Sequence, residues 1–199
     1  ERQFRFPLEY GGQRPQTSQW TVTGAGAAVV QNPKTAAESE KGSPHISAVH
    51  IGTITDLGIK DANNMGAAMA PAAARTIGGF LSDTGTSPDD YDMIVTGDLG
   101  YTGSTLLYEL TKKEYGVDIR SVHKDCGLMI FDLEEQDVHS GGSGCGCSAS
   151  VLCSYLLGEM NKGRLRKILF TATGALMSPT SCKQGQPIPG IAHSVLIEI

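Results

Sequence analysis

The sequence has no long apolar run, no basic segment and no even set of cysteines. No apolar stretch reaches the length of a membrane span. The 16 basic residues are outnumbered by 21 acidic ones, for a net charge of -5, so a nucleic-acid partner is not expected. Five cysteines cannot all pair with one another, which favours free thiols in a reducing compartment. Cys145 and Cys147 have no second pair at zinc-ligand spacing, so no zinc site is expected.

Aromatic residues are few, at 6%, whereas glycine is abundant, at 25 of 199 residues. The most concentrated glycine-rich stretch is residues 141–152, with the sequence GGSGCGCSASVL. Apolar residues at helical spacing predict that this stretch leads into an amphipathic helix over Val151–Met160, which ends at Gly163. Glycines before a helix N-terminus can bind a carboxylate or hold a thiolate, but they also suit a tight turn under neighbouring backbone. The residues alone leave both interpretations open.

Segments with strand and helix patterns alternate along the chain. Strands are expected at Trp20–Val30, His45–Ile51, Asp92–Thr96, Ile168–Thr173 and His193–Ile199, with extended segments at Val117–Val122 and Leu128–Phe131. Helices are expected at Met65–Ser82, at Val151–Met160 and from a cap at Thr102 or Ser104 to Gly116, with a helical turn at Ser87–Asp90 and a glycine-containing turn at Gly174–Pro179. This alternation predicts a mixed α/β layered fold whose last two strands are antiparallel.

Several side chains with reactive potential have simple structural explanations. We interpret His123 and Asp125 as a surface hydrogen bond rather than an acid–base pair, and we expect His193 to pack within its strand. The acidic residues of 132–137 are expected to form a solvated loop, because they lack the glycine-containing pattern of an EF-hand. Buried cysteines usually act as small apolar side chains, and this interpretation applies to Cys147 more than to Cys145.

A set of short motifs, each weak by itself, together covers the whole chain. They are residues 1–7, 9–13, 21–26, 65–74, 88–92, 125–130, 141–152 and 172–176. In combination they resemble the thiolase superfamily and, within it, the stage V sporulation protein AD family of spore-forming Firmicutes. The resemblance implies that residues 1–199 form the C-terminal half of a thiolase-like α/β fold. It also implies pairing with an N-terminal half that would precede Glu1, and a homodimer.

Condensing enzymes of the thiolase superfamily carry two catalytic side chains in their C-terminal half. Those enzymes place a His after a strand such as 93–96 and an Asn before a helix such as 151–160. Here the first position falls at Gly97 and Asp98, and the second at Cys145 or a neighbour. Glycine cannot take a proton, and a carboxylate cannot donate to a thioester oxyanion as an imidazole does. We therefore expect no condensing activity and no cofactor.

The resemblance implies a binding subunit of the SpoVA system, which serves dipicolinic acid (pyridine-2,6-dicarboxylate) uptake into developing spores and release in germination. The partners it implies are dipicolinic acid and other SpoVA proteins. It leaves open whether calcium binds together with dipicolinic acid. The implied location is peripheral on the inner membrane of the forespore or spore. The glycine-containing segments 141–148 and 174–178 offer amides and small residues around a flat slot. The expected ligand-binding residues are Asp98, Gly142, Ser143, Cys145, Gly174, Met177 and Ser178, and no metal-binding residue is expected.

Two other functions remain open from the sequence. One is a thiolase-like or ketoacyl-synthase-like acyl-transfer enzyme whose base lies elsewhere. Turnover of an acyl-CoA that is blocked by a thiol-specific inhibitor would identify it. The other is a structural subunit without a ligand, which failure of the complete protein to bind dipicolinic acid would indicate.

Overall fold

The computed structural model describes residues 15–32 and 42–199. The motifs at 1–7 and 9–13, and most of the polar connection predicted at 31–44, lie outside the described residues. The strands are β1 (Trp20–Thr21), β2 (His45–His50), β3 (Met93–Thr96), β4 (His123–Asp125), β5 (Gly142–Ser143), β6 (Lys167–Ala175) and β7 (Gly190–Glu198). The helices are α1 (Met65–Thr84), α2 (Gly100–Tyr115), α3 (Cys126–Met129), α4 (residues 145–161) and α5 (Pro179–Lys183), with a 3-10 turn at Pro88–Asp90.

The main sheet is mixed and has the strand order β2-β7-β6-β3-β4. β6, β3 and β4 run parallel to one another, whereas β7 is antiparallel to both of its neighbours. A separate parallel pair joins β1 to β5. The predicted mixed α/β class and the antiparallel arrangement of the last two strands are therefore confirmed.

Each face of the main sheet buries its own apolar core. Ile94 and Leu169 point to one face and pack with α1 and α2, while their neighbours Val95 and Ile168 point to the other. This alternation is the two-residue period of strands buried on both faces. α4 covers the second face, so one surface of this helix lies directly behind β3 and β6.

The long helix α1 forms where the alanine-rich pattern predicts it, and it extends to Thr84. The Asn64 side chain caps its start by accepting a hydrogen bond from the Ala67 amide, and Gly85 ends it in the left-handed conformation. Pro71 lies inside the helix, in the buried part. Gly66 and Gly103 allow α1 and α2 to touch backbone to backbone.

The second helix begins earlier than predicted, because a buried carboxylate holds its first amides. Neither Thr102 nor Ser104 is the cap, since α2 starts at Gly100. The Asp125 carboxylate accepts hydrogen bonds from the amides of Leu99 and Gly100, both at 2.9 Å. These are among the amides that a helix leaves without internal acceptors, so Asp125 acts as a cap from a distant strand. The predicted end at Gly116 is confirmed.

The predicted strand at Trp20–Val30 is wrong beyond Thr21. Residues 22–32 have no regular secondary structure, and Val29 is 94% exposed and therefore outside any core. The small residues nevertheless allow a close approach, because Gly24 and Gly26 lie against the backbone of Gly146 and Ala149. The backbone they approach belongs to a helix rather than to a sheet.

The segment 117–131 also differs from its prediction. The strand is His123–Asp125, which pairs in parallel with Ile94–Thr96, and neither Val117–Val122 nor Leu128–Phe131 is extended. Residues 126–129 form α3, whose cap is Asp125, which accepts a hydrogen bond from the Gly127 amide. The polar residues 123–125 are therefore a short strand, and its last residue caps the helix that follows.

Candidate functional site

A cavity of about 470 Å³ lies where β3, β5, β6 and the start of α4 meet. We call it the Asp98 cavity. Its walls are Gln19, Met65, Met69, Asp98, Ser143, Gly144, Cys145, Ser148, Thr173, Gly174, Ala175 and Met177. Small and polar residues thus form one side, and methionines of α1 contribute apolar surface. A cavity of this size with a few polar groups in an apolar wall is typical of a small-molecule site.

The carboxylate of Asp98 ties three segments together at this cavity. Its Oδ2 accepts a hydrogen bond from the Gly144 amide at 2.8 Å, and its Oδ1 accepts one from the Thr173 hydroxyl at 2.9 Å. The Asp98 amide donates to the same hydroxyl of Thr173 at 3.1 Å. Asp98 therefore fixes the turn after β3 to the start of α4 and to β6.

The side chain of Gln19, which lies beside β1, also connects segments of the chain at this cavity. Its amide nitrogen Nε2 donates to the carbonyl oxygens of Asp98 and Gly142, both at 2.9 Å. Gln19 is buried. This side chain therefore closes one end of the cavity and holds β5 against the Asp98 turn.

Ser143 contributes a buried hydroxyl without a partner. The side chain is 3% exposed and lines the cavity, and its Oγ has no hydrogen-bond partner within the described residues. A buried hydroxyl without a partner costs about 1–3 kcal/mol, so such groups usually meet a ligand, an ion or a water molecule. Ser143 is thus a residue of the cavity wall whose hydroxyl makes no hydrogen bond within the described residues.

The glycine-rich stretch is a helix start rather than a long loop, because α4 begins at residue 145 instead of 151. It consists of an α-helical segment, Cys145–Ser150, a π-helical segment, Val151–Leu156, and a second α-helical segment, Leu157–Asn161. Gly144, with φ of 101°, makes the sharp turn into the helix. Gly144, Cys145 and Ser148 of this helix start line the cavity, while the amide of Cys147 already donates to the Gly144 carbonyl at 3.0 Å.

The two cysteines of this stretch have different surroundings. Cys145 is exposed and lines the cavity. Cys147 is buried in the core with Val95 and Cys126. Burial, together with the nearby charge of Asp98, raises the pKa of the Cys147 thiol. Cys147 is therefore an inert apolar side chain, as the sequence suggested.

Five of the seven expected site residues line the Asp98 cavity: Asp98, Ser143, Cys145, Gly174 and Met177. Gly142 lies just outside, where its carbonyl accepts from Gln19. Ser178 caps α5 by accepting a hydrogen bond from the Ser181 amide at 3.1 Å. Gly174 belongs to β6 rather than to the predicted turn. The structure brings the five together, but whether they bind a ligand remains a prediction.

Sequence reasoning missed several residues of the wall, notably Gln19, Thr173 and the methionines of α1. Gln19 directly precedes the strand predicted from Trp20, and Thr173 is the last residue of the strand predicted at Ile168–Thr173. The available signal was positional, because Thr173 and Asp98 stand near the carboxyl ends of adjacent parallel strands. Side chains at that edge of an open sheet often meet at a ligand site.

His123 and Asp125 are buried, so their predicted position on the surface is wrong. Both contact the hydroxyl of Thr96: His123 Nε2 lies 2.8 Å from Thr96 Oγ1, which donates to Asp125 Oδ1 at 2.6 Å. The other ring nitrogen, Nδ1, lies 2.9 Å from the Tyr108 hydroxyl. These four side chains form one buried hydrogen-bonded chain.

Other candidate residues form no metal centre. Within residues 15–32 and 42–199, no group of three or more His, Cys, Asp or Glu side chains is placed to hold a metal ion. Asp132 instead accepts hydrogen bonds from the amides of Glu134 and Glu135 in a turn. His193 is exposed, and its Nδ1 accepts from the Gly52 amide at 3.1 Å. No helix in the described part of the chain is long and apolar enough to cross a membrane.

Solved structures of thiolases and related enzymes are similar to parts of the chain at low identity. An acetyl-CoA acetyltransferase from Bacillus anthracis is 18% identical with a TM-score of 0.38, over 80% of this chain and 32% of that protein. MvaS in complex with 3-hydroxy-3-methylglutaryl coenzyme A is 12% identical with a TM-score of 0.42, over 78% of this chain and 40% of that protein.

Sequence comparisons place the chain in one family. A family model described as stage V sporulation protein AD matches residues 1–198. The curated stage V sporulation protein AD of Bacillus subtilis (strain 168) is 46% identical over 199 residues, which is all of this chain and 56% of that protein. The chain thus spans just over half the length of this relative. A match over nearly every residue, with this level of identity, leads to one conclusion: the chain belongs to the stage V sporulation protein AD family.

Proposed function

We propose that this sporulation-family protein binds dipicolinic acid in the Asp98 cavity, as a non-catalytic subunit of the SpoVA system. The observation that carries the proposal is the Ser143 hydroxyl, which is buried in the cavity wall without a partner among the described residues. A ligand carboxylate accepts a hydrogen bond from such a hydroxyl and from amides at a helix N-terminus. The start of α4 and Ser143 are adjacent in the chain and share this wall.

The shape and the surface of the cavity support a flat ligand with polar edges. Gly144 and Gly174 leave the wall without side chains at two places, and Met65 and Met69 supply apolar surface for a ring. The ring of dipicolinic acid would lie against the methionines while its carboxylates reach Ser143 and α4. Uptake into developing spores and release in germination are the processes that such binding would serve.

Asp98 raises the question of calcium. A carboxylate beside a dianionic ligand is unfavourable unless a cation or hydrogen-bond donors separate them. The Gly144 amide and the Thr173 hydroxyl already donate to Asp98, which neutralises part of its charge. These two donors lower the cost of placing an anionic ligand near Asp98, and the titration with and without calcium decides whether a cation accompanies the ligand.

The composition of the wall favours binding over condensation. No histidine is among the described residues that line the Asp98 cavity. Condensation requires an acid or base that can exchange a proton near neutral pH and a donor to the thioester oxyanion. The exposed Cys145 thiol stands without an imidazole in this wall, which supports a protein that binds without turnover.

The proposal also includes a protein contact surface on β2 and the residues that follow it. Apolar side chains are exposed along and just after β2, including Val49, Ile51 and Ile54 at 63%, 80% and 62%. Exposed apolar groups of this kind mark protein contact surfaces. We propose that they meet the remaining part of the same protein or its copy in a homodimer. Other SpoVA proteins would then hold the protein on the inner spore membrane.

Calorimetric titration of dipicolinic acid, with and without calcium, tests this function. We expect saturable binding that Ser143→Ala weakens about tenfold, since the variant removes one donor to a carboxylate. Ser82→Ala is the matched control, because Ser82 is exposed on α1 and does not line the cavity, and the affinity of this variant should equal that of the wild type. Absence of binding by the folded protein at its natural length would refute the proposal. Acyl-CoA turnover would instead support the acyl-transfer alternative.

A further inference from the structure

A second cavity, of about 710 Å³, lies around the edge strand β4. We call it the His123 cavity. None of its described lining residues also lines the Asp98 cavity. Neither the family description nor the proposed function gives it a role.

One wall of this cavity is rigid and polar. Thr96 Oγ1 donates its only hydrogen to Asp125, so it must accept from His123 Nε2. The proton of the neutral imidazole is therefore on Nε2, and Nδ1 accepts from the Tyr108 hydroxyl. Because every polar atom of the imidazole is used, this wall is held in one arrangement.

The negative charge of Asp125 is compensated inside the protein. Its two oxygens accept hydrogen bonds from Thr96 Oγ1 and from the amides of Leu99, Gly100 and Gly127. A carboxylate with four donors presents little unbalanced charge to a neighbouring cavity. Burial lowers the pKa of His123 to about 3, so the imidazole adds no positive charge near neutral pH.

Among the residues that the structure describes, Lys124 is the only lysine or arginine that lines the His123 cavity. It forms no ion pair with any residue that the structure describes. The nearby Arg120, over the ring of Tyr108, is engaged by Glu109 and Asp118 at 2.6 and 2.8 Å. Lys124 is thus the available positive charge at this cavity, and it attracts an anion.

The remaining walls combine apolar surface with hydroxyl groups. Met93, Met129, Ile130 and Val151 provide the apolar part. Ser150, Ser154 and Tyr155 come from the start of the π-helical segment and its flank, on α4. π-helical turns within α-helices are frequent at functional sites. A ligand that fits these walls has an apolar body and one polar end.

We propose that the His123 cavity is a second ligand site, which binds a small monocarboxylate with an apolar body, its acid group on Lys124 and its body against the methionines. The inference is independent of the proposed function of the Asp98 cavity. Two features support it jointly. The charge of Lys124, the one cation among the described lining residues, selects an anion, and the apolar lining favours an aliphatic or aromatic body over a compact inorganic ion.

Octanoate is a suitable probe, titrated calorimetrically into the protein at its natural length. We expect saturable binding that Lys124→Gln weakens about tenfold. Lys60→Gln, at an exposed lysine that does not line the cavity, should leave the affinity unchanged. Ser154→Trp should abolish binding, because a bulky side chain at this exposed position fills the cavity mouth without disturbing the core. Thermal melts verify that each variant is folded.

Three results would overturn the inference. They are no saturable octanoate binding, equal affinity of Lys124→Gln and wild type, or binding that survives Ser154→Trp in a folded variant. Competition separates the two cavities, since excess dipicolinic acid should not displace octanoate. Displacement that Ser143→Ala abolishes would locate octanoate in the Asp98 cavity, and this would be a fourth result that refutes the second site. If dipicolinic acid itself does not bind, the two substitutions at the His123 cavity still decide the question.

Discussion

Asp98 Oδ2 lies 2.8 Å from the amide nitrogen of Gly144, which is 46 residues further along the chain. This hydrogen bond joins the turn after β3 to the residue that precedes α4. The cavity lies between these two segments, so it keeps its shape only while this hydrogen bond holds them in position. Asp98 is therefore a structural support of the candidate site as well as part of its wall.

Replacing Asp98 by Asn should destabilise the fold. The two carboxylate oxygens accept from Gly144 and from Thr173, and both hydrogen bonds are strengthened by the negative charge. Asparagine keeps one oxygen for the Gly144 amide, but its NH₂ can only donate to the Thr173 hydroxyl, so the charge-assisted bonds are lost. We expect a loss of about 1–3 kcal/mol in the free energy of unfolding, measured by urea denaturation. Asp89→Asn, at an exposed position, is the control. Equal stability of the two variants would show that Asp98 is not a support.

The pH dependence of stability should reveal the buried state of His123. Burial lowers the pKa of His123 from 6.5 to about 3, so between these values the unfolded chain binds a proton that the folded chain does not. The stability that His123 contributes is therefore complete above pH 6.5 and is lost as the pH falls towards 3. Burial raises the pKa of Asp125 to about 6, which gives the opposite slope between about pH 4 and 6 and offsets that of His123.

His123→Gln separates the two contributions, because glutamine keeps a donor for Thr96 and does not titrate. The stability of the wild type relative to this variant should rise from pH 3 to 6.5, by on the order of 1 kcal/mol per pH unit, and then stay constant. Urea denaturation curves of both proteins at several pH values measure this difference in the free energy of unfolding. A difference that does not change with pH would mean that the imidazole is accessible to solvent in the folded protein.

Thiol labelling should distinguish the cysteines of the glycine-rich stretch. Cys145 is exposed, whereas Cys147 and Cys126 are buried and their thiol pKa values are raised by burial. In the native protein an aromatic disulfide reagent should modify Cys145 within minutes and leave the other two intact until the protein unfolds. Peptide mass spectrometry identifies the sites. Native labelling of Cys147 as fast as that of Cys145 would contradict the position of α4.

The sequence predicted those elements whose pattern is local. The alanine-rich run gave α1, a terminal glycine gave the end of α2, and apolar runs gave β6 and β7 within a few residues. It failed where a distant side chain decides the structure. Asp125 sets the start of α2, yet nothing near Gly100 in sequence indicates this carboxylate.

The residues of the candidate site were likewise predictable where the sequence pattern is local, and not where a distant contact decides their role. The stretch 141–148 was recognisable because glycines and small polar residues are concentrated there, and Ser143 and Cys145 do line the cavity. Gln19 was not recognisable, because its role depends on two carbonyl oxygens 79 and 123 residues away. The exposed segment after Thr21 misled the prediction, since small apolar residues resemble a buried strand whether or not a neighbouring strand is present.

A pair of glycines offers a test of the close contact between α1 and α2. A Cβ added at Gly66 would lie 2.7 Å from the Gly103 nitrogen and from the Leu99 oxygen, and neither backbone atom can move without displacing α2. We expect Gly66→Ala to destabilise the protein by about 1–3 kcal/mol, despite the helix propensity that alanine adds. Gly158→Ala is the matched control, because Gly158 is also helical and nothing lies within 4 Å of its added Cβ. That variant should gain up to about 1 kcal/mol. Urea denaturation of both variants measures the difference, and equal stabilities would show that the two helices are further apart than in this structure.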